Sequence, residues 1–64
     1  MAEGWKKRLI AEQKELKEKI DRLATFIRSD EFAQLSAEHS AMLNLQLAVM
    51  RRYDYVLRRR INLF

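Results

Sequence analysis

Apolar residues recur through the first part of the chain in steps of four and three: Trp5, Leu9, Leu16, Ile20, Leu23 and Ile27, with Gln13 standing where the next one is due. This is a heptad seam with one polar insert, the pattern of a helix that buries a narrow stripe. A lone polar residue in such a seam is expected to fix register. Between the seam positions lie Glu12, Lys14, Glu15, Lys17, Glu18, Lys19, Asp21 and Arg22. Opposite charges fall three or four residues apart, as in Glu15–Lys19 and Glu18–Arg22, which reads as a solvated helix face with no further role.

The periodicity breaks at "FIRSDEFAQLSAEHS". Ser29 and Ser36 are each followed by acidic residues, as at a helix N-cap. The spacing predicts a short helical turn over 30–35, with Phe32 and Leu35 closing the end of the core. A second long helix is expected from Ala37. His39 then falls in its first turn on the core side, where a packed or capping imidazole is the simplest reading.

The second helix is patterned differently. "AMLNLQLAVM" holds eight apolar residues in ten. On a wheel of 3.6 residues per turn its apolar residues span about 200°, twice the stripe of an ordinary surface helix. One edge carries Leu43, Leu47, Met50 and Ile61; the other carries Leu45, Val49 and Val56. An arc this wide suits a central helix, packed on its own first helix and on another subunit. The expected fold is all-α: an antiparallel helical hairpin with a short helical elbow, assembling into a homo-oligomeric helix bundle. It forms one domain over 1–64, with helix one at about 4–28, the elbow at 29–36 and helix two at about 37–62. The expected subunit contacts are Met42, Leu45, Val49, Met50, Val56 and Leu57.

Composition supports that reading. The chain has 64 residues, no Cys, no Pro, one Gly and one His. A chain this short is marginal alone, and disulfides and a zinc site are both closed to it. Oligomerisation remains the route to stability. No cofactor and no metal are expected. The first residues lack the apolar core of a signal peptide, and no apolar run approaches the roughly 20 residues that span a bilayer. The expected location is the cytoplasm.

Charge is distributed unevenly. Residues 1–8 and 51–60 together hold eight Lys and Arg against Glu3 and Asp54, a net of +6. Residues 28–38 hold Arg28 against Asp30, Glu31 and Glu38, a net of −2. A hairpin brings the two basic segments to one end. Cations at a helix C-terminus complement its dipole, but five arginines facing three more cations repel unless an anion intervenes.

Within "RRYDYVLRRR", Arg60 shares a stripe with Tyr53 and Gln46, spaced by seven and flanked by Met50 and Leu57. A guanidinium can fork a phosphate, a phenol can stack or hydrogen-bond, and an amide can read a polar edge. Alternatively, the three residues form a structural network, with Arg60 reaching out at the helix end. If a ligand binds, Arg60 and Tyr53 grip it and Gln46 adds specificity. Arg52, Arg59, Lys6 and Lys7 raise the local field, and Trp5 offers a ring at the same end.

The segment "LATFIRSDEFAQLS" followed by Leu43, Gln46, Met50, Tyr53, Leu57, Arg60 and Ile61 resembles small helical-hairpin accessory proteins of tailed bacteriophages. The resemblance covers roughly residues 16–61, and Ser29, Gln46, Tyr53 and Arg60 are its informative members. It implies an accessory protein acting in the host bacterial cytoplasm. Several proteins of this kind are anti-defence sponges that bind nucleotide immune signals, such as cyclic dinucleotides or cyclic ADP-ribose isomers, and hold them without chemistry.

An enzyme is not expected, since no nucleophile–base pair, paired carboxylates or metal cluster stands out. Three functions therefore remain. The first is a homo-oligomer that sequesters a small anionic, nucleotide-like ligand. The second is a protein–protein module that docks its wide apolar helix face on a bacterial or phage protein. The third is non-specific nucleic-acid binding through the basic end.

Overall fold

The computed structural model describes residues 4–64. It is built from α1 (Gly4–Ile27), α2 (Asp30–Ala33) and α3 (Ala37–Ile61). There is no strand among the described residues, and the all-α helical hairpin is what the chain forms.

The elbow forms because its donors are met locally. After α1 the N–H of Arg28 bonds the carbonyl of Thr25, and that of Ser29 bonds Phe26. Ser29 then caps α2: its side chain accepts from the N–H of Phe32 at 3.3 Å and donates to the carbonyl of Phe26 at 2.6 Å. Ser36 caps α3, accepting from the N–H of His39 at 3.1 Å. Asp30, Glu31 and Glu38 sit in the first turns of α2 and α3, where the helix dipole favours negative charge. Phe26 and Phe32 meet edge to face with ring centroids 6.2 Å apart. Phe32 and Leu35 are half-buried there, closing this end of the hairpin.

Three pairs give the direction of the long helices. Trp5 meets Phe64, Glu12 meets Tyr53, and Gln13 meets Asp54. From Trp5–Phe64 at one end to Glu12–Tyr53 and Gln13–Asp54 further in, the α1 number rises as the α3 side falls, so α1 and α3 run antiparallel. The basic segments of both helices share one end and the acidic elbow forms the other.

The core is a single seam. Leu9, Leu16 and Ile20 of α1 and Leu47 and Leu57 of α3 are buried; Leu23, Ala24, Ile27, Met50 and Ile61 pack against them. Among the described residues Leu57 alone is fully covered. Trp5, expected in that seam, is exposed at the open end, and the seam proper begins at Leu9.

The molecule is a rod of 48 × 15 × 14 Å with a radius of gyration of 14.9 Å. A closed globule of this length would have a radius of gyration of about 11 Å. Two helices enclose no interior, so much of the apolar surface stays open. No helix among the described residues is long and apolar enough to cross a membrane.

Candidate functional site

The side chains at the basic end divide into those fixed by the hairpin and those left open. At the centre of the fixed set is Asp54, buried between the helices. Its Oδ1 accepts from Gln13 Nε2 at 2.9 Å, and its Oδ2 accepts from Arg58 Nε at 2.9 Å. A buried carboxylate without partners would carry a large desolvation cost; here both oxygens are satisfied. Gln13 therefore does stand opposite a specific partner, as a register-fixing polar residue should. Asp54 was counted in the sequence only as one charge among arginines. The spacing Leu47, Met50, Asp54, Leu57, Ile61 places it inside the buried heptad row, and that signal could have found it.

Tyr53 is the second cross-helix group. Its hydroxyl donates to Glu12 Oε2. That bond holds the phenol above its ordinary pKa, with smaller contributions from partial burial and the Glu12 charge; Arg60 acts in the opposite direction. The Tyr53 hydroxyl is thus committed to α1 as a donor.

The expected row of Gln46, Tyr53 and Arg60 lies on one side of α3, and all three residues are exposed. No hydrogen bond joins them among the described residues. The Gln46 amide instead points toward Met50 Sδ at 3.9 Å. The row borders the apolar surface of α3 but does not line an enclosed pocket.

Concavity occurs on the other side of α3. A shallow groove of about 540 Å³ is lined by Arg51, Arg52, Tyr55 and Val56. A neighbouring groove of about 360 Å³ is lined by Lys17, Ile20, Asp21, Arg51, Asp54 and Arg58. Of the expected ligand residues only Arg52 reaches either one. Arg51 and Tyr55 were not singled out from the sequence, because the heptad stripe drew attention to the opposite side. Their one-turn spacing, 51 and 55, was the available signal.

Charge pairing separates the cations further. Arg58 is tied to Asp54, and Lys17 pairs with Asp21 at 3.0 Å. Arg51, Arg52, Arg59 and Arg60 make no ion pair among the described residues. At the very tip, Lys6 Nζ lies 5.8 Å from the Trp5 ring centroid and 5.1 Å from that of Phe64. The two rings meet edge to face at 5.4 Å. Lys6 and Trp5 therefore do share one corner, as expected, while Lys7 is exposed beside them.

The residues expected between subunits also divide. Met42, Leu45, Val49 and Val56 are each about half exposed, as an unpartnered face requires. Leu57 is fully buried within the hairpin and Met50 packs on the same core, so these two serve the intramolecular seam. The wide wheel arc spans both seams and did not say where one ends. His39, expected on the core side, is exposed; its backbone N–H rather than its ring takes part in the cap. Among the described residues no group of three or more acidic or histidine side chains could hold a metal ion.

No curated protein and no solved structure matches the chain. A family model, Sequestin, matches residues 3–63. Since that match takes in both long helices and the elbow between them, the chain belongs to the Sequestin family.

Proposed function

We propose that this chain is a non-enzymatic phage accessory protein of the host cytoplasm, a homo-oligomer that binds and retains a small phosphorylated ligand such as a nucleotide-derived immune signal. The family name is consistent with a sequestering role, and binding rather than catalysis is what such a role needs. The observation that carries the ligand chemistry is the unpaired charge. Arg51, Arg52, Arg59 and Arg60 lack carboxylate partners among the described residues, and two tyrosines stand among them. Guanidinium groups bind phosphate in a fork, and aromatic faces take a base.

Sequestration requires no bond-making. A protein in excess over its ligand lowers the free ligand by mass action alone. Arg60 and Tyr53 grip the ligand in this reading, Gln46 contributes an amide, and Arg52, Arg59, Lys6 and Lys7 supply field, with Trp5 at the tip. Tyr53 would offer its ring, since its hydroxyl is engaged by Glu12.

Calorimetry against a panel of mononucleotides and cyclic dinucleotides tests this. Arg60→Ala is expected to weaken binding by about tenfold or more, the scale of one charge-assisted contact, with the oligomer intact by light scattering. Unchanged binding removes Arg60 from the site; no binding of any nucleotide by the unmodified protein ends the ligand reading.

The exposed apolar stripe of Met42, Leu45, Val49 and Val56 favours one further reading, a module that docks on a different protein. A monodisperse monomer that becomes ordered only with a partner would support it. Non-specific nucleic-acid binding predicts DNA affinity falling steeply with salt.

A further inference from the structure

We propose that α3 pairs with the α3 of a second copy in antiparallel orientation, through a heptad row that runs Glu38, Met42, Leu45, Val49, Arg52, Val56, Arg59, Leu63. This rests on the self-association half of the reading above and not on its ligand half. The intervals are four, three, four, three, four, three and four, a second seam along α3 whose last member, Leu63, lies in the turn just past the helix. All eight residues are exposed in the hairpin. Met42, Leu45, Val49 and Val56 are 48–56% exposed and Leu63 is 81% exposed. On the helix wheel this row is centred about 150° from the buried row of Leu47, Met50, Asp54, Leu57 and Ile61. The helix therefore carries two separate seams on nearly opposite sides, and α1 covers only one.

Charge along the row selects the occupant and its direction. The row starts with an acid, is apolar in the middle and carries two arginines in its second half. A parallel copy would stack Glu38 on Glu38, Arg52 on Arg52 and Arg59 on Arg59. Like charges in facing seam positions oppose association. An antiparallel copy that sets Arg59 against the partner's Glu38 brings Met42 against the partner's Val56 and Leu45 against the partner's Arg52, and centres the contact on Val49 of both copies. The same surface is thus complementary to itself under a two-fold axis, as an isologous contact requires. Because the seams are nearly opposed, the four long helices form an open row, with the two α3 helices inside and the two α1 helices outside.

The chain has no cysteine, so introduced thiols report orientation cleanly. His39→Cys and Asn62→Cys sit near opposite ends of α3 and outside the apolar middle of the row. When the two variants are mixed and treated with a short thiol-to-thiol cross-linker, the mixed 39–62 product is expected to exceed either same-site product by about tenfold. Dominance of 39–39 and 62–62 products would establish a parallel pair and overturn the proposal. So would a monomeric wild-type chain at tens of micromolar by sedimentation. A charge-swap series provides the second readout. Glu38→Lys and Arg59→Glu are each expected to weaken the dimer by about fivefold or more, and the double variant to restore it. If both single variants leave the dimer unchanged, the pairing of these ends is refuted. Neither readout needs a ligand, so a failed nucleotide titration leaves this result standing, and the reverse also holds.

Discussion

At the residue scale, one position departs from the apolar logic of the hairpin and defines it. Asp54 occupies a buried seam position and is held by Gln13 and Arg58. Removing one partner from such a group strands a buried charge, whereas hydrophobic replacement of a complete buried polar pair is often neutral or better. Gln13→Leu should cost about 1–3 kcal/mol, since it strips a donor from a buried carboxylate. Adding Asp54→Leu to it should recover most of that loss, which thermal or urea unfolding of the three variants measures.

Tyr53 gives a second test. Its phenol is raised above the ordinary value of about 10, first by its bond to Glu12. A raised folded value means that the bond's contribution is fully present below the unfolded pKa and is lost as pH climbs through the folded one. Absorbance titration of the tyrosinates should therefore show one late component. It should vanish in Tyr53→Phe and shift toward the ordinary phenol value in Glu12→Gln.

At the element scale, the elbow turns the chain without proline and without a single positive-φ residue among those described. Two serine caps and the acids behind them end one helix and start the next. Ser36→Ala removes the cap of α3 while leaving the packing intact, and is expected to destabilise by about 0.5–2 kcal/mol in thermal unfolding. Ser29→Ala removes both the Phe32 cap and the bond to the Phe26 carbonyl and should cost at least as much. The two long helices differ in kind. α1 has one buried row and otherwise solvated charge. α3 has two rows and a charged end, so it is the helix on which both proposals fall.

At the scale of the whole molecule, the rod is bipolar, basic at the open end and mildly acidic at the elbow. The open end gathers cations from both termini of the hairpin, which is the ground for proposing a phosphorylated ligand there. The same polarity makes two antiparallel copies complementary. These demands compete for Arg59, which cannot face the partner's Glu38 and a ligand phosphate equally. Arg60, on the flank of the second seam, is free of that competition. Its effect on ligand binding and the effect of Arg59 on dimerisation therefore separate the two roles.

Much of this was legible in the residues. The helices and their caps follow from local terms: apolar steps of three and four, a serine before acids, and the absence of any internal breaker. Those terms act within a few residues, so the linear pattern suffices to read them. Which apolar positions are inside, which arginines are spoken for and where the grooves open depend on how α1 lies against α3. The pattern could not separate Leu57 from Val56 or Arg58 from Arg59, because adjacent residues on a wide apolar arc look alike until a neighbour covers one of them. Only the packed pair, with Gln13 laid on Asp54 and Glu12 on Tyr53, divided that arc into a seam already filled and a seam still open.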